Sequence, residues 1–196
     1  MNGYPLASYE ELSEGIQEVL ISEEQLQQRV RQLGEAISRD YAGRNPLLVG
    51  VLKGVMLFIA DLARAITVPM EMDCIAISSY RRGGSHEGAV RLVKDLEAPI
   101  EGRHVLFVED VIDTGLTLSY LLRSLRARDP ASLEVCVLFN KPQHRLMDIP
   151  LKYTGFDLPD RFVVGYGLDY RERYRNLPML GVLKPEVFGA DARSFR

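Results

Sequence analysis

Cysteine and histidine are scarce in this 196-residue chain. The two cysteines, Cys74 and Cys136, lie in apolar, strand-like segments and form no CxxC motif. We therefore expect buried, reduced thiols in a cytosolic protein rather than a disulfide framework. The three histidines are far apart in sequence and show no metal-ligand spacing.

Long hydrophobic runs and a large excess of charge are also missing. The most apolar stretch, 47–60, is too short to span a membrane and contains Lys53. The amino terminus has no basic region followed by an apolar run, so no signal peptide is predicted. A net charge of −3 provides no global field to hold a polyanion. We expect a soluble, cytoplasmic protein that binds neither membranes nor nucleic acid.

Length and composition favour one folded domain covering residues 1–196, with 46% hydrophobic and 26% charged residues. Apolar runs predict strands at 47–52, 70–80, 89–95, 133–139 and 161–166. Helices are predicted at 21–41, where Ser22 and Gln25 form a capping box, and at 55–66. Residues 1–20 resemble a loose acidic arm. The alternation of strands and helices predicts an α/β fold with a doubly wound, mainly parallel sheet flanked by helices.

The segment 105–118, VLFVEDVIDTGLTL, predicts a buried strand, a short loop and a helix. The apolar run 105–108 suits a parallel strand covered on both faces, and the leucines at 118, 121, 122 and 125 have helical spacing. We expect the loop between them to carry the polar chemistry. Ligands bind at this end of the strands in such sheets.

Phosphate, a diol and a metal ion are the ligands that this loop suits. The free N–H groups of a helix start attract phosphate, Gly115 allows close approach, and Thr114 and Thr117 add hydroxyl donors. Glu109 and Asp110 would repel a phosphate. They are expected instead to accept hydrogen bonds from sugar hydroxyls or to hold a divalent cation. The loop therefore predicts a ribose-5-phosphate site.

Asp113 has two simpler interpretations. An aspartate before a helix is often an N-cap. The triplet DTG after an apolar strand is also the active-site triplet of aspartic proteases. That fold is all-β, however, and would not place a leucine-periodic helix directly after the triplet.

The whole 105–118 string closely resembles the phosphoribosyl-diphosphate signature of type I phosphoribosyltransferases, and its ED-xx-DTG form is similar to the hypoxanthine-guanine branch. The resemblance implies a core of about 22–160 and a small hood subdomain from about 1–21 and 161–196. It makes Asp113 the general base, and it makes Glu109 and Asp110 ligands of the ribose or its metal. Leu116 stands where some relatives have lysine, so it offers the phosphate only its backbone N–H. The residues implied to bind the donor ribose and phosphate are Glu109, Asp110, Asp113, Thr114, Gly115, Leu116 and Thr117.

Two further loops fit the resemblance. LKG at 52–54 matches the family's pyrophosphate loop, which assigns Lys53 and Gly54 to pyrophosphate and allows a cis peptide before Lys53. A lysine reaching the surface at a strand end is the simpler interpretation of Lys53. The segment 78–88 contains Ser79 and Tyr80, and it matches a flexible loop of the family that begins with a Ser-Tyr pair and closes over the reacting centre. Taken alone, that segment reads as a mobile hairpin.

The purine side of the resemblance rests on Lys141 and on the string RFVVGYGLDYRERYRN at 161–176. It implies that Lys141 donates to the exocyclic oxygen at purine position 6, that Phe162 stacks on the base, and that the Val163 backbone reads its edge. Asp169 would order a magnesium water shell and Arg175 would reach the pyrophosphate. Without the signature, Lys141 would be a solvated lysine, Phe162 a core aromatic, and the charges a surface ion-pair cluster.

The resemblance implies Mg²⁺-dependent transfer of 5-phosphoribosyl from 5-phosphoribosyl-1-diphosphate to hypoxanthine or guanine, in a homodimer or homotetramer. The magnesium residues would be Glu109, Asp110 and Asp169. Two alternatives stay open. One is a regulator that keeps the fold but binds nucleic acid, against which the net charge and the acidic amino-terminal arm argue. The other is a transferase for xanthine or adenine, and Lys141 argues against adenine because a cation facing an amino group has no acceptor.

Overall fold

A computed structural model describes residues 9–80 and 89–188 of the chain. The chain divides into two compact units, one of residues 29–160 and one drawn from 1–28 and 161–196. None of the described helices has the length and apolar character to span a membrane. In chain order the elements are α1 (Tyr9–Glu14), β1 (Ile16–Ile21), α2 (Glu23–Asp40), β2 (Leu47–Leu52), α3 (Met56–Ala65), β3 (Glu71–Tyr80), β4 (Ala89–Lys94), β5 (His104–Ile112), α4 (Leu116–Arg126), β6 (Ser132–Asn140), β7 (Tyr153–Asp157), β8 (Val163–Val164), β9 (Leu180–Leu183) and α5 (Pro185–Phe188).

The larger unit is built on a six-stranded sheet in the order β4-β3-β2-β5-β6-β7. All neighbouring strands run parallel except β3 and β4, which form an antiparallel pair at one edge. The expected mainly parallel α/β sheet is confirmed. Residues 105–108 in β5 are fully buried, as a strand covered on both faces requires.

The helix predictions are confirmed in their local chemistry. At the start of α2, the Ser22 backbone N–H donates to Gln25 Oε1 at 2.8 Å, and the Gln25 N–H donates to Ser22 Oγ at 3.3 Å. This is the reciprocal capping box. On α4 the predicted stripe is buried and packs into the sheet core; its members are Leu118, Leu121, Leu122 and Leu125.

Strand β5 is longer than its apolar run predicts. It continues through Glu109 and Asp110 to Ile112, because β6 keeps pairing with it: Glu109 lies opposite Val137 and Ile112 lies opposite Asn140. The prediction that all polar chemistry sits in the loop is therefore wrong for the two acids. Sheet pairing fixes their backbone, and only the residues from Asp113 onward belong to the turn before α4.

The smaller unit contains a three-stranded antiparallel sheet in the order β1-β9-β8. The prediction of a loose arm over 1–20 is wrong for its described part, because α1 and β1 are formed there. The predicted strand at 161–166 is only two residues long, since Gly165, Tyr166 and Gly167 all have positive φ and turn the chain. The boundaries predicted for core and hood stay predictions.

Candidate active site

Three neighbouring parallel strands end at the same edge of the large sheet. Lys53 and Gly54 follow β2, the turn at 113–115 follows β5, and Lys141 follows β6. The Lys141 backbone N–H donates to Ile112 O at 2.9 Å, which joins two of these ends directly. The topology therefore brings together residues that are almost ninety positions apart in the sequence.

The loop after β2 lies against one acid of the signature. A methyl group on Gly54 would overlap the Asp110 carboxylate, so only glycine fits there without displacing that side chain. The peptide between Leu52 and Lys53 is cis, in line with the resemblance. Asp110 itself is buried, at 8% exposure, and its Oδ1 accepts the Val111 N–H at 2.7 Å.

Glu109 carries an unsatisfied oxygen. Its Oε2 is shut off from solvent and has no hydrogen-bond partner among the described residues, although the residue keeps part of its surface exposed. Burial, and then the neighbouring Asp110 charge, raise the pKa of Glu109 well above its ordinary value. A buried acceptor without a donor fits a ligand that supplies one, such as a sugar hydroxyl or a metal-bound water.

The turn and the start of α4 line a pocket of about 230 Å³. Gly115, at the N-cap position, has φ +79° and no side chain with which to cap the helix. Leu116 N–H has a long contact of 3.4 Å with Thr114 Oγ1, so the start of α4 is held only weakly by a side chain, and its N–H groups suit a phosphate. The pocket lining consists of Glu109, Val111, Ile112, Asp113, Thr114, Gly115, Thr117 and Leu118.

Asp113 is not the N-cap of α4, because Gly115 occupies that position. Its carboxylate instead faces a histidine. His144 Nδ1 lies 2.8 Å from Asp113 Oδ1, and His144 Nε2 lies 2.7 Å from Asp160 Oδ1. The hydrogen bond to Asp160, followed by that to Asp113, raises the pKa of His144 above 6.5. Sequence reasoning missed His144 and Asp160, since these contacts follow no spacing rule.

The segment after Lys141 is fixed onto the signature turn. The N–H groups of Leu146 and Met147 both point to Thr114 O, at 2.9 and 3.3 Å. Arg145 holds the same segment from inside, donating to Asn140 Oδ1 at 3.1 Å and to Ile149 O at 2.8 Å. This bracing was also missed, because an arginine bound to local carbonyls has no motif of its own.

In the smaller unit, Asp169 and Arg175 bind each other. Arg175 Nη2 lies 2.8 Å from Asp169 Oδ1, and Arg175 Nη1 donates to Gly167 O at 2.7 Å. Asp169 Oδ2 accepts the Glu172 N–H at 2.9 Å. Positive φ angles at Arg171, Glu172 and Tyr174 shape the tight turn that makes these contacts possible. The ion pair predicted as the simpler alternative is thus present.

Phe162 and Val163 precede that turn. Phe162 is half-buried, with its ring edge-on to Tyr170 at a centroid distance of 6.0 Å. Val163 is buried, and its backbone pairs with Val182 of β9. Their predicted contacts with a purine stay predictions.

The predicted closing loop is described only at its borders. Ser79 and Tyr80 end β3, where the backbone pairs with Val90 and Ala89 of β4. The rest of the loop, 81–88, lies outside the described residues. The two strands fix where the loop leaves and re-enters the sheet.

The described acids do not form a complete metal cage. Within 9–80 and 89–188, no group of three or more His, Cys, Asp or Glu side chains is arranged to hold a metal ion. Magnesium is usually held by one or two carboxylates together with water and substrate oxygens. Glu109 and Asp110 fit that role through the unsatisfied Oε2 and the adjacent carboxylate.

A family model for the phosphoribosyl transferase domain matches residues 20–171. The chain belongs to this family. The signature, the parallel sheet and the loops at its carboxyl edge are therefore those of a phosphoribosyltransferase domain.

Individual proteins of this family are also similar to the chain over most of its length. Hypoxanthine-guanine phosphoribosyltransferase of Bacillus subtilis (strain 168) is 49% identical over 173 residues, which cover 88% of this chain and 96% of that protein. The solved structure of a hypoxanthine phosphoribosyltransferase from Staphylococcus aureus has a TM-score of 0.86 at 44% identity, covering 90% of this chain and 96% of that one. The predicted resemblance to the hypoxanthine-guanine branch is confirmed.

A longer relative contains the same region as one part. The bifunctional protein TilS/HprT of Listeria monocytogenes serotype 4b (strain F2365) is 49% identical over 179 residues. Those residues cover 91% of this chain and 28% of that protein. The chain thus spans less than a third of the length of this relative.

Proposed function

We propose that the chain transfers 5-phosphoribosyl from 5-phosphoribosyl-1-diphosphate to hypoxanthine or guanine, giving IMP or GMP and pyrophosphate. The observation that carries the proposal is the meeting of the Gly54 loop, the acid pair, the turn at 113–115 and the start of α4 at one sheet edge. Relatives of similar length named for this activity support it. We place the reaction in purine salvage in the cytoplasm.

The donor would bind along this edge. Its 5′-phosphate fits the pocket of about 230 Å³, where the α4 N–H groups and the hydroxyls of Thr114 and Thr117 act as donors. The ribose hydroxyls would donate to Glu109 and Asp110, which satisfies the buried Oε2. The diphosphate would be received by Lys53 and the Gly54 backbone, together with Ser79, Tyr80 and Arg175.

Magnesium, when bound, neutralises charge on the departing diphosphate. Glu109 and Asp110 would hold it at the ribose, and Asp169 would order part of its water shell. For this role Asp169 and Arg175 would exchange some of their contacts with each other for contacts with the ligand.

Asp113 would act as the general base. As purine N9 forms its bond to the anomeric carbon and the bond to pyrophosphate breaks, the proton on N7 passes to the Asp113 carboxylate. Such a transfer typically contributes about 10²–10⁴ in rate. The carboxylate is half exposed at 51%, as a base that meets an entering ligand must be.

For the purine we propose the residue roles that the family resemblance implies. Lys141 would donate to the oxygen at position 6, Phe162 would stack on the ring, and the Val163 backbone would bind its edge. The fixed backbone of Lys141, bonded to Ile112 O, favours a constant position for this cation. An even-numbered assembly remains an additional part of the proposal.

A panel of bases tests the proposal. The protein is given 5-phosphoribosyl-1-diphosphate, Mg²⁺ and one of hypoxanthine, guanine, xanthine or adenine, and nucleotide formation is followed by chromatography. We expect IMP and GMP, and no AMP, because Lys141 lacks an acceptor on adenine. Turnover of adenine alone, or of no base, would contradict the proposal.

A further inference from the structure

His144 lies between two carboxylates at the edge of the candidate site. One ring nitrogen contacts Asp113 Oδ1 at 2.8 Å and the other contacts Asp160 Oδ1 at 2.7 Å. The signature turn, the short helical turn Pro142–His144 and the segment before β8 are therefore joined through one imidazole ring. The family signature assigns no role to His144 or Asp160.

Both ring nitrogens must donate for both contacts to be hydrogen bonds. An ionised carboxylate only accepts, and a neutral imidazole has a single N–H, so the pair of contacts requires imidazolium. The raised pKa of His144, caused first by Asp160 and then by Asp113, agrees with this protonation state. Lys141 and Arg145 are the cations nearest in its own segment. Arg145 is directed elsewhere, to the oxygens of Asn140, Met147 and Ile149.

The backbone around His144 is itself fixed. Its N–H donates to Lys141 O at 3.2 Å, and Leu146 N–H donates to Thr114 O at 2.9 Å on the far side. Asp160 holds the second ring nitrogen, so the ring plane is set at two points. A ring restrained in this way can in turn restrain the carboxylate that it contacts.

We infer that His144 is a positioning residue for Asp113, holding Oδ1 so that Oδ2 is presented to the purine. The inference rests on the proposed function. The proton released from N7 goes to Oδ2 while N9 bonds to the anomeric carbon and pyrophosphate leaves. Among the described residues no hydrogen bond occupies Oδ2. Asp160 acts one step further away, by fixing the ring.

Three variants separate positioning from a general effect on the fold. His144→Ala removes both contacts, His144→Gln keeps one N–H donor, and Asp160→Asn keeps the shape but weakens the hold on the ring. The matched control is Asp129→Asn, an exposed aspartate at the opposite edge of the sheet whose φ of 51° asparagine also tolerates. Steady-state kcat and KM for both substrates are measured, together with the thermal midpoint.

We expect His144→Ala to lower kcat about tenfold, the effect of losing roughly one hydrogen bond in the transition state, with the KM of the phosphoribosyl donor within twofold. His144→Gln should recover at least half of wild-type kcat. The kcat of Asp160→Asn should lie between those of His144→Ala and His144→Gln. The control should match wild type. Unchanged kcat in His144→Ala, or a His144→Gln variant as impaired as His144→Ala, would overturn the inference.

Histidine NMR provides a second readout that needs no turnover. With three histidines in the chain, the His144 signals are assigned by comparison with His144→Gln, and titrated in wild type, Asp113→Asn and Asp160→Asn. The titration midpoint should be above the ordinary value in wild type and lower in both variants. If the titration midpoint of His144 is the same in Asp113→Asn as in wild type, the inference is overturned even if the enzyme is active. Wild-type protein inactive on every base with a normal NMR result would instead refute the proposed function, and the positioning role with it.

Discussion

The large sheet edge and the turn at 165–175 both carry charged residues, but they differ in how those charges are satisfied. At the sheet edge, Glu109 Oε2 has no partner among the described residues, and Leu116 N–H at the start of α4 has only a long contact of 3.4 Å with Thr114 Oγ1. In the turn, Asp169 and Arg175 satisfy each other and the local backbone. Under the proposed function, the first region offers an unsatisfied acceptor to the ligand, whereas Asp169 and Arg175 would have to give up contacts in order to bind it.

Removal of metal should have the largest effect and would test the large sheet edge directly. With EDTA, hypoxanthine turnover should become undetectable and return with Mg²⁺, because the diphosphate is a poor leaving group without a cation. Initial rates with and without added Mg²⁺ measure this. Full turnover in metal-free buffer would remove the proposed metal-holding role of Glu109 and Asp110, and leave them as acceptors for the ribose hydroxyls.

The second largest effect is expected for Asp113→Asn, which should lower kcat by about 10²–10⁴ and leave donor binding nearly unchanged. Stability should stay close to wild type, because Gly115 and not Asp113 holds the N-cap position. Stopped assays give kcat, and thermal melts give stability. A kcat within a few-fold of wild type at saturating substrates would make the turn a binding element only.

Gly54→Ala probes how closely the loop after β2 packs against Asp110 at the large sheet edge. The added methyl overlaps the Asp110 carboxylate, so we expect a cost of about 1–3 kcal/mol, seen as weaker donor binding as well as lower stability. Gly102→Ala is the control, since its φ of +68° makes the substitution costly for the backbone but no atom lies within 4 Å of the new methyl. Equal losses of donor affinity in the two variants would show that the contact with Asp110 is unimportant.

Substitutions in the turn at 165–175 should give the smallest effect. A double-mutant cycle of Asp169→Asn and Arg175→Gln should show a coupling of about 0.5–1 kcal/mol in unfolding free energy, the range for partly exposed pairs. In donor binding the coupling should shrink, because the ligand replaces the pair. Urea unfolding and donor titration of the four proteins measure both values. The same coupling in both would mean that the ion pair persists when the ligand binds.

Local signals predicted much of the fold. The Ser22–Gln25 capping box and the leucine stripe of α4 both follow from spacing within a few residues, and both are present. Strand β1 was missed because three of its central residues are exposed, leaving no apolar alternation to detect. It is stabilised as a strand by β9, which lies far away in sequence.

The candidate site shows the same division. Glu109, Asp110 and the 113–117 turn lie in one continuous string, so the sequence predicted them together. The prediction that Glu109 and Asp110 belong to the loop was wrong, because pairing with β6 extends β5 past its apolar run. The contact between His144 and Asp113 spans 31 positions and depends on where two neighbouring strands end, which no single-sequence pattern contains.

The pairing of β1 with β9 also has a consequence for the order of assembly. All six strands of the large sheet are synthesised before Leu180, whereas the small sheet needs a strand from each end of its sequence span. During translation the large sheet can form first, whereas Ile16–Ile21 cannot pair until β9 has been synthesised. A nascent chain stalled before Leu180 should therefore show protease protection of 29–80 and 89–160 but not of 16–21. Early protection of 16–21 would mean that this segment finds another partner first.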